Sequence, residues 1–205
     1  KFLEVIKMIF RDSNKVNEYV LEAFSLMQED KELIKIFHNM LISEELWSHS
    51  INVSKIATQM AILKGYSHDE ILQITLGGLL HDVGKLEIPR EVLYKTGKLN
   101  DSEFELIKSH SLKGVEVVKN CNLSPVVLDI IRHHHEKLNA KGYPDRISEI
   151  SSYVQLVTVS DIFGAISEDR CYHKRLAFED AFAFIKDFND INQDIVSLLP
   201  EGIMD

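Results

Sequence analysis

Apolar residues recur every three or four positions along most of this chain, and no stretch alternates apolar and polar residues long enough to make a strand. With four prolines in 205 residues and glycine mostly at breaks, that period constrains the chain to an all-α fold. The length suits one large domain, or one domain with a small extension. Residues 1 to about 42 read as amphipathic helices. Val16, Val20, Ala23, Phe24 and Met27 form one stripe, and Leu33, Ile34, Phe37 and Leu41 another. This part carries no visible chemistry and reads as a connector or dimerising segment, so we place an extension at 1–43 and the main domain at 44–205. A long helix is expected from Glu44 to Leu63, with Leu46, Ser50, Val53, Ala57, Met60 and Ala61 on one face and Gly65 ending it. Ser67-x-x-Glu70 is a capping box that opens the next helix, where Gly77-Gly78 permit close approach of a neighbour. Asn100-x-x-Glu103 caps a helix running to about Asn120, and Ser124-Pro125 starts another. A further helix is expected from Ile147 to about Ile166, and one or two more over 178–199.

Chemistry interrupts this pattern at Leu79-Leu80-His81-Asp82-Val83-Gly84-Lys85. Imidazole beside carboxylate is a ligand pair for a divalent metal of the iron, manganese or zinc kind. Gly84 suits the left-handed turn that ends a helix, which puts the pair at a helix C-terminus. Lys85 brings a cation that a phosphate would use. A second His-Asp pair, His68-Asp69, is explained by the helix cap and needs no metal. Glu45 and His49, four residues apart, share a helix face, as a helix-start acid beside a polar histidine would without any metal. His110 lies within the helix after Asn100. Of the run His133-His134-His135, part reads as ligands, with a surface histidine patch as the other reading. Asp161 interrupts the apolar run Val157, Val159, Ile162, Phe163. A buried carboxylate needs a cation or donors, so it is either a metal ligand or half of a structural ion pair.

Together Glu45, His49, His81, Asp82, His110, His134, His135 and Asp161 offer five imidazoles and three carboxylates on separate helices, with no thiolate. That exceeds the needs of one ion and suits two or three clustered ions, iron or manganese rather than structural zinc. A net charge of −9 argues against a surface for polymeric nucleic acid, and a small anion would need local cations or metals. Two cysteines without a CxxC pair fit a reducing compartment, no signal peptide is recognised, and no apolar run reaches the roughly 18 residues of a membrane span. A cytoplasmic location is expected. The first residue is Lys1 rather than Met, which fits a piece of a longer protein or a trimmed chain.

The residues from His49 to Leu176 resemble the HD-GYP family, a subgroup of the HD-domain metal-dependent phosphohydrolases. The resemblance rests on His49-Ser50-x-x-Val53, Leu79 through Lys85 with Leu86-x-Ile88-Pro89, and Leu93-x-Lys95-x-Gly97-x-Leu99. It continues through His110-x-x-x-Gly114, His134-His135-Glu136, Gly142-Tyr143-Pro144, Val159-x-Asp161 and Asp169-Arg170-x-Tyr172. It implies an HD-domain helical bundle and hydrolysis of cyclic di-GMP to pGpG or GMP. It also implies that His49, His81, Asp82, His110, His134, His135 and Asp161 are metal ligands, with Asp82 bridging and Glu45 serving a third ion. Asp82 and Lys85 then form the catalytic set. Lys85, Gly142, Tyr143 and Arg170 would contact substrate, with Lys174 or Lys141 standing in for a basic residue replaced by His173. Partners implied are the cyclic dinucleotide, a second copy through the amino-terminal helices, and diguanylate cyclase or sensor domains. The chain departs from the family at Asn139-Ala140-Lys141, where the family has Asp-Gly-x. Alanine disfavours positive φ, so a changed loop path and altered substrate choice are expected. The other readings are a receptor that binds cyclic di-GMP without turnover and a hydrolase of another cyclic dinucleotide or nucleotide.

Overall fold

The computed structural model describes residues 14–167 and 176–199. Among the described residues every regular element is helical. The helices are α1 Lys15–Glu29, α2 Lys31–Leu41, α3 Glu44–Leu63 and α4 His68–Leu80, then a 3₁₀ helix Val83–Glu87. They continue with α5 Arg90–Leu93, α6 Asp101–Lys108, α7 His110–Val117, α8 Pro125–His133, α9 Ser152–Ser167, α10 Phe178–Lys186 and α11 Gln193–Val196. None is long and apolar enough to cross a membrane.

Local chemistry sets most of the boundaries. Ser67 and Glu70 form the expected reciprocal cap, as do Asn100 and Glu103. Ser124 caps α8 ahead of Pro125, and Gly65 ends α3 at φ +74°. Two expected elements differ. The stretch from 101 to 120 is two helices, because the Ser109 hydroxyl and the His110 ring donate to the Leu106 and Ile107 carbonyls that a continuing helix would use. The last long helix starts at Ser152 rather than Ile147. Backbone N–H groups of Asp145, Arg146 and Ile147 go instead to the Glu136 carboxylate.

Helix α3 is the spine. It packs on α4 along one flank and on α9 along the other, while α8 covers α4 and α7. Close α3–α4 approach depends on Gly78, where a Cβ would stand 2.8 Å from the Ser54 Cα. One apolar cluster joins α3, α4, α8 and α9 to α10 and α11. The other joins α1 and α2 to α4 and α8 through Phe24, Met27, Phe37, Met40 and Leu79. Each of these large side chains, once buried, contributes about 1.5–3 kcal/mol. The helices at 15–41 therefore share a core with the rest of the described chain. The two clusters flank a polar centre between α3, α4, the 3₁₀ helix, α7, α8 and α9.

Candidate metal centre

The centre forms where apolar helices end or carry a single polar residue inward. His81 caps α4 and Asp82 opens the 3₁₀ helix, so the pair sits at a helix C-terminus as expected. Gly84 does not take the left-handed conformation that the sequence suggested; it lies within the 3₁₀ helix. Its role is contact, since a Cβ there would meet the His110 carbonyl oxygen at 1.9 Å. Asp82 and His110 are thereby brought onto one point from two elements.

Asp82 is buried and lies amid the histidines. Its Oδ1 is 3.3 Å from His110 Nε2 and 3.9 Å from His134 Nε2. Its Oδ2 is 3.3 Å from His81 Nε2, 3.9 Å from His49 Nε2 and 2.5 Å from Lys85 Nζ. Asp161 Oδ1 pairs with His49 Nε2 at 2.9 Å, and its Oδ2 lies 3.9 Å from His135 Nδ1. Burial raises the pKa of both carboxyls. The Lys85 ammonium at Asp82, and the His49 hydrogen bond at Asp161, outweigh it and hold both well below the carboxylate range.

The imidazoles are oriented from behind. Nδ1 of His81 lies 2.8 Å from the Gly78 carbonyl, Nδ1 of His110 lies 2.7 Å from that of Ile107, and Nδ1 of His134 lies 3.0 Å from that of Ile131. A carbonyl only accepts, so each Nδ1 carries the proton and each Nε2 turns a lone pair to the centre. Burial pushes His110 down and His134 well down, keeping the rings neutral. Two lone pairs, on His110 and His134, then face each other at 3.2 Å. The His81 Nε2 and Asp82 Oδ1 atoms are buried without a hydrogen-bond partner. Acceptors massed this closely, two of them orphaned, fit a divalent cation. Donor atoms of Asp82, His110, His134 and His135 lie within 4.8 Å of one another, as do those of His49, His81 and Asp82, and of His81, His134 and Asp161.

Glu45 is exposed and belongs to none of these groups. It lines a cleft of about 70 Å³ with His49, Asp82, Lys85, Leu93 and Tyr94. Gly142 and Tyr143 line a different hollow, together with His135. A Cβ on Gly142 would meet the Glu136 Cα at 2.4 Å, and the Tyr143 ring lies over His135 with centroids 4.7 Å apart. Arg170 and Lys174 lie outside the described residues. His68 instead meets Glu22 at 3.0 Å, and His133 is held between Asp129 and Asp145 at 2.6 and 2.7 Å. Neither serves the centre.

Three supporting residues were assigned no role from sequence. Glu136 accepts the N–H groups of Asp145, Arg146 and Ile147, fixing the loop that packs on His135. Thr158 Oγ1 donates to the His134 carbonyl at 2.8 Å, and Asp129 orients His133. Glu136 stood inside a recognised motif, which was its only signal.

A cyclic di-GMP phosphodiesterase of Pseudomonas aeruginosa is 30% identical over 168 residues, 80% of this chain and 41% of that protein. A cyclic di-GMP phosphodiesterase of Thermotoga maritima is 29% identical over 82% of this chain and 44% of that protein. A 3′3′-cGAMP-specific phosphodiesterase of Vibrio cholerae is 32% identical over 72% of this chain and 29% of that protein. The chain thus spans less than half the length of these relatives. The HD domain of the Listeria monocytogenes phosphodiesterase PgpH, solved with cyclic-di-AMP, superposes with a TM-score of 0.61 at 17% identity, covering 83% of this chain and 93% of that one. The family described as HD domain, whose phosphohydrolases use divalent metals, matches residues 15–192. That match takes in every helix that bears on the His81-Asp82 centre, and the chain belongs to the HD-domain family.

Proposed function

We propose that this HD-GYP-type domain is a metal-dependent phosphodiesterase that hydrolyses cyclic di-GMP to pGpG or GMP in bacterial second-messenger signalling. The observation that carries this is Asp82, whose two oxygens face different imidazoles within one buried centre. In this reading His49, His81, Asp82 and Asp161 would hold one ion and Asp82, His110, His134 and His135 another, with Glu45 available for a third. Iron or manganese suits the donor set. Bound ions would supply Lewis acidity to the phosphodiester and an activated water.

The chain's own groups do the rest. Asp82 sets the spacing between the two ligand groups. Lys85, half-buried beside Asp82, faces the cleft and offsets charge on a non-bridging phosphoryl oxygen. Burial drives the Tyr143 phenol far above its ordinary range, so it stays protonated and able to donate to substrate. Arg170 serves the substrate phosphate and Lys174 backs it, from the resemblance alone. The domain acts in the cytoplasm, pairs through its amino-terminal helices, and meets cyclase or sensor domains.

A second reading, a different cyclic dinucleotide, is favoured by the relatives named for 3′3′-cGAMP and by the altered Asn139-Ala140-Lys141 loop. The test is oxygen-free purification, loading with Fe(II) or Mn(II), and chromatography of cyclic di-GMP. Product as pGpG or GMP supports the hydrolase. Bound but intact cyclic di-GMP marks a receptor, and cleavage of 3′3′-cGAMP alone selects the second reading.

A further inference from the structure

Apart from the Lys85 cleft, a second, larger hollow of about 680 Å³ is lined in part by His135. Its size falls in the range of about 300–1,000 Å³ usual for small-molecule sites. His135, a candidate ligand, and Tyr143 both line it, so it adjoins the metal centre. Its charge differs from that of the whole chain. The protein has 32 acidic and 23 basic residues, yet this hollow is lined by Lys108, Lys137, Lys141 and Arg146 against Glu105 alone. Lys108 and Lys137 are engaged by Glu105 and Asp190. Lys141 and Arg146 are exposed and make no ion pair among the described residues. Both stand on the loop that Glu136 fixes, and the Arg146 N–H is itself one of the anchored groups. Apolar surface lies opposite: Phe104 is 50% exposed and Leu112 42%. The Lys108 ammonium sits 4.8 Å from the Phe104 ring centre and 5.8 Å from that of Tyr143.

We propose that this hollow is the subsite for the uncleaved half of a cyclic dinucleotide, with Lys141 and Arg146 on its second phosphodiester and Phe104 beneath its distal base. The assignment rests on the phosphodiesterase reading above. A cyclic dinucleotide carries two phosphodiesters, and in the reading above the metal centre engages the scissile one. The other, with its base, then lies outside the centre, and the hollow that His135 and Tyr143 line offers cations and an exposed ring. Uncommitted guanidinium and ammonium groups suit a phosphodiester. An exposed aromatic face suits a base of any identity.

The test compares metal-loaded wild type with the pair Lys141→Gln/Arg146→Gln and with Phe104→Ala, all at exposed positions. Substrates are cyclic di-GMP and bis(p-nitrophenyl) phosphate, which has neither a second phosphate nor a nucleobase. Expected is a KM for cyclic di-GMP raised about tenfold in each variant, with kcat within about twofold and metal per chain unchanged. Unchanged KM overturns the subsite. Equal loss on both substrates also overturns it, because the residues would then act on the centre. A wild type that cleaves the small diester but leaves cyclic di-GMP intact overturns the functional reading, and the subsite with it.

Discussion

Gly142 rests directly against the backbone of His135: a methyl group on its Cα would meet the His135 carbonyl oxygen at 2.5 Å. The Tyr143 N–H returns to that same carbonyl at 3.2 Å. The Gly142-Tyr143-Pro144 loop is thus a backing plate for a candidate ligand. Gly142→Ala forces the loop away and should destabilise the protein by about 1–3 kcal/mol, as overpacking does. Metal affinity falls with it. Thermal melts with and without metal check this, and a variant that melts and binds metal as wild type contradicts it.

Glu136 is buried and accepts three backbone N–H groups from the far end of the same loop. Glu136→Ala leaves those donors without partners. Each unsatisfied buried group costs about 1–3 kcal/mol, less where water enters. The expected loss is about 1–3 kcal/mol, read from urea unfolding of the metal-free protein.

Ala140 occupies the left-handed region at φ +56°, where the resembled family has glycine. The expected change of path does not spare it positive φ. An L-residue there costs roughly 1–2 kcal/mol, partly offset by the greater unfolded-state entropy of glycine. Ala140→Gly should therefore stabilise the protein by about 0.5–1 kcal/mol, seen as a higher urea midpoint at unchanged slope.

The acid side of the stability profile follows from the buried rings. Burial pushes His134 well down and His135 down to about 3, with His110 adding to the effect at both. In the unfolded chain they titrate near 6.5. The unfolded state therefore takes up more protons below that value. Stability is fully present above about pH 6.5 and is lost as pH falls towards 3, by up to about 1.4 kcal/mol per pH unit per ring. Urea midpoints of the metal-free protein from pH 8 to 5 should fall over that window, less steeply in His135→Gln.

How far the sequence spoke depended on how local the signal was. Ser67 with Glu70, and Asn100 with Glu103, cap through contacts three residues apart, and those helix starts were legible. The candidate ligands were legible because imidazole and carboxylate stand out in apolar helices at 49, 81–82, 110, 134–135 and 161. What was hidden depends on contacts made in space. Gly84 serves the His110 backbone rather than a left-handed turn. The helix break at Ser109 comes from side chains competing for carbonyls, and the late start of α9 comes from Glu136 claiming N–H groups nine to eleven residues away. The hollow beside Tyr143 joins α6 and α7 to a distant loop, which no single stretch reveals.

Asp82, in the proposed function, joins two ligand groups into one working centre. The most direct test measures metal per chain and cyclic di-GMP hydrolysis side by side in wild type and Asp82→Ala, both loaded without oxygen. Two or three ions and turnover are expected in wild type, with both lost together in the variant. A variant that keeps its metal complement and still hydrolyses cyclic di-GMP would contradict it.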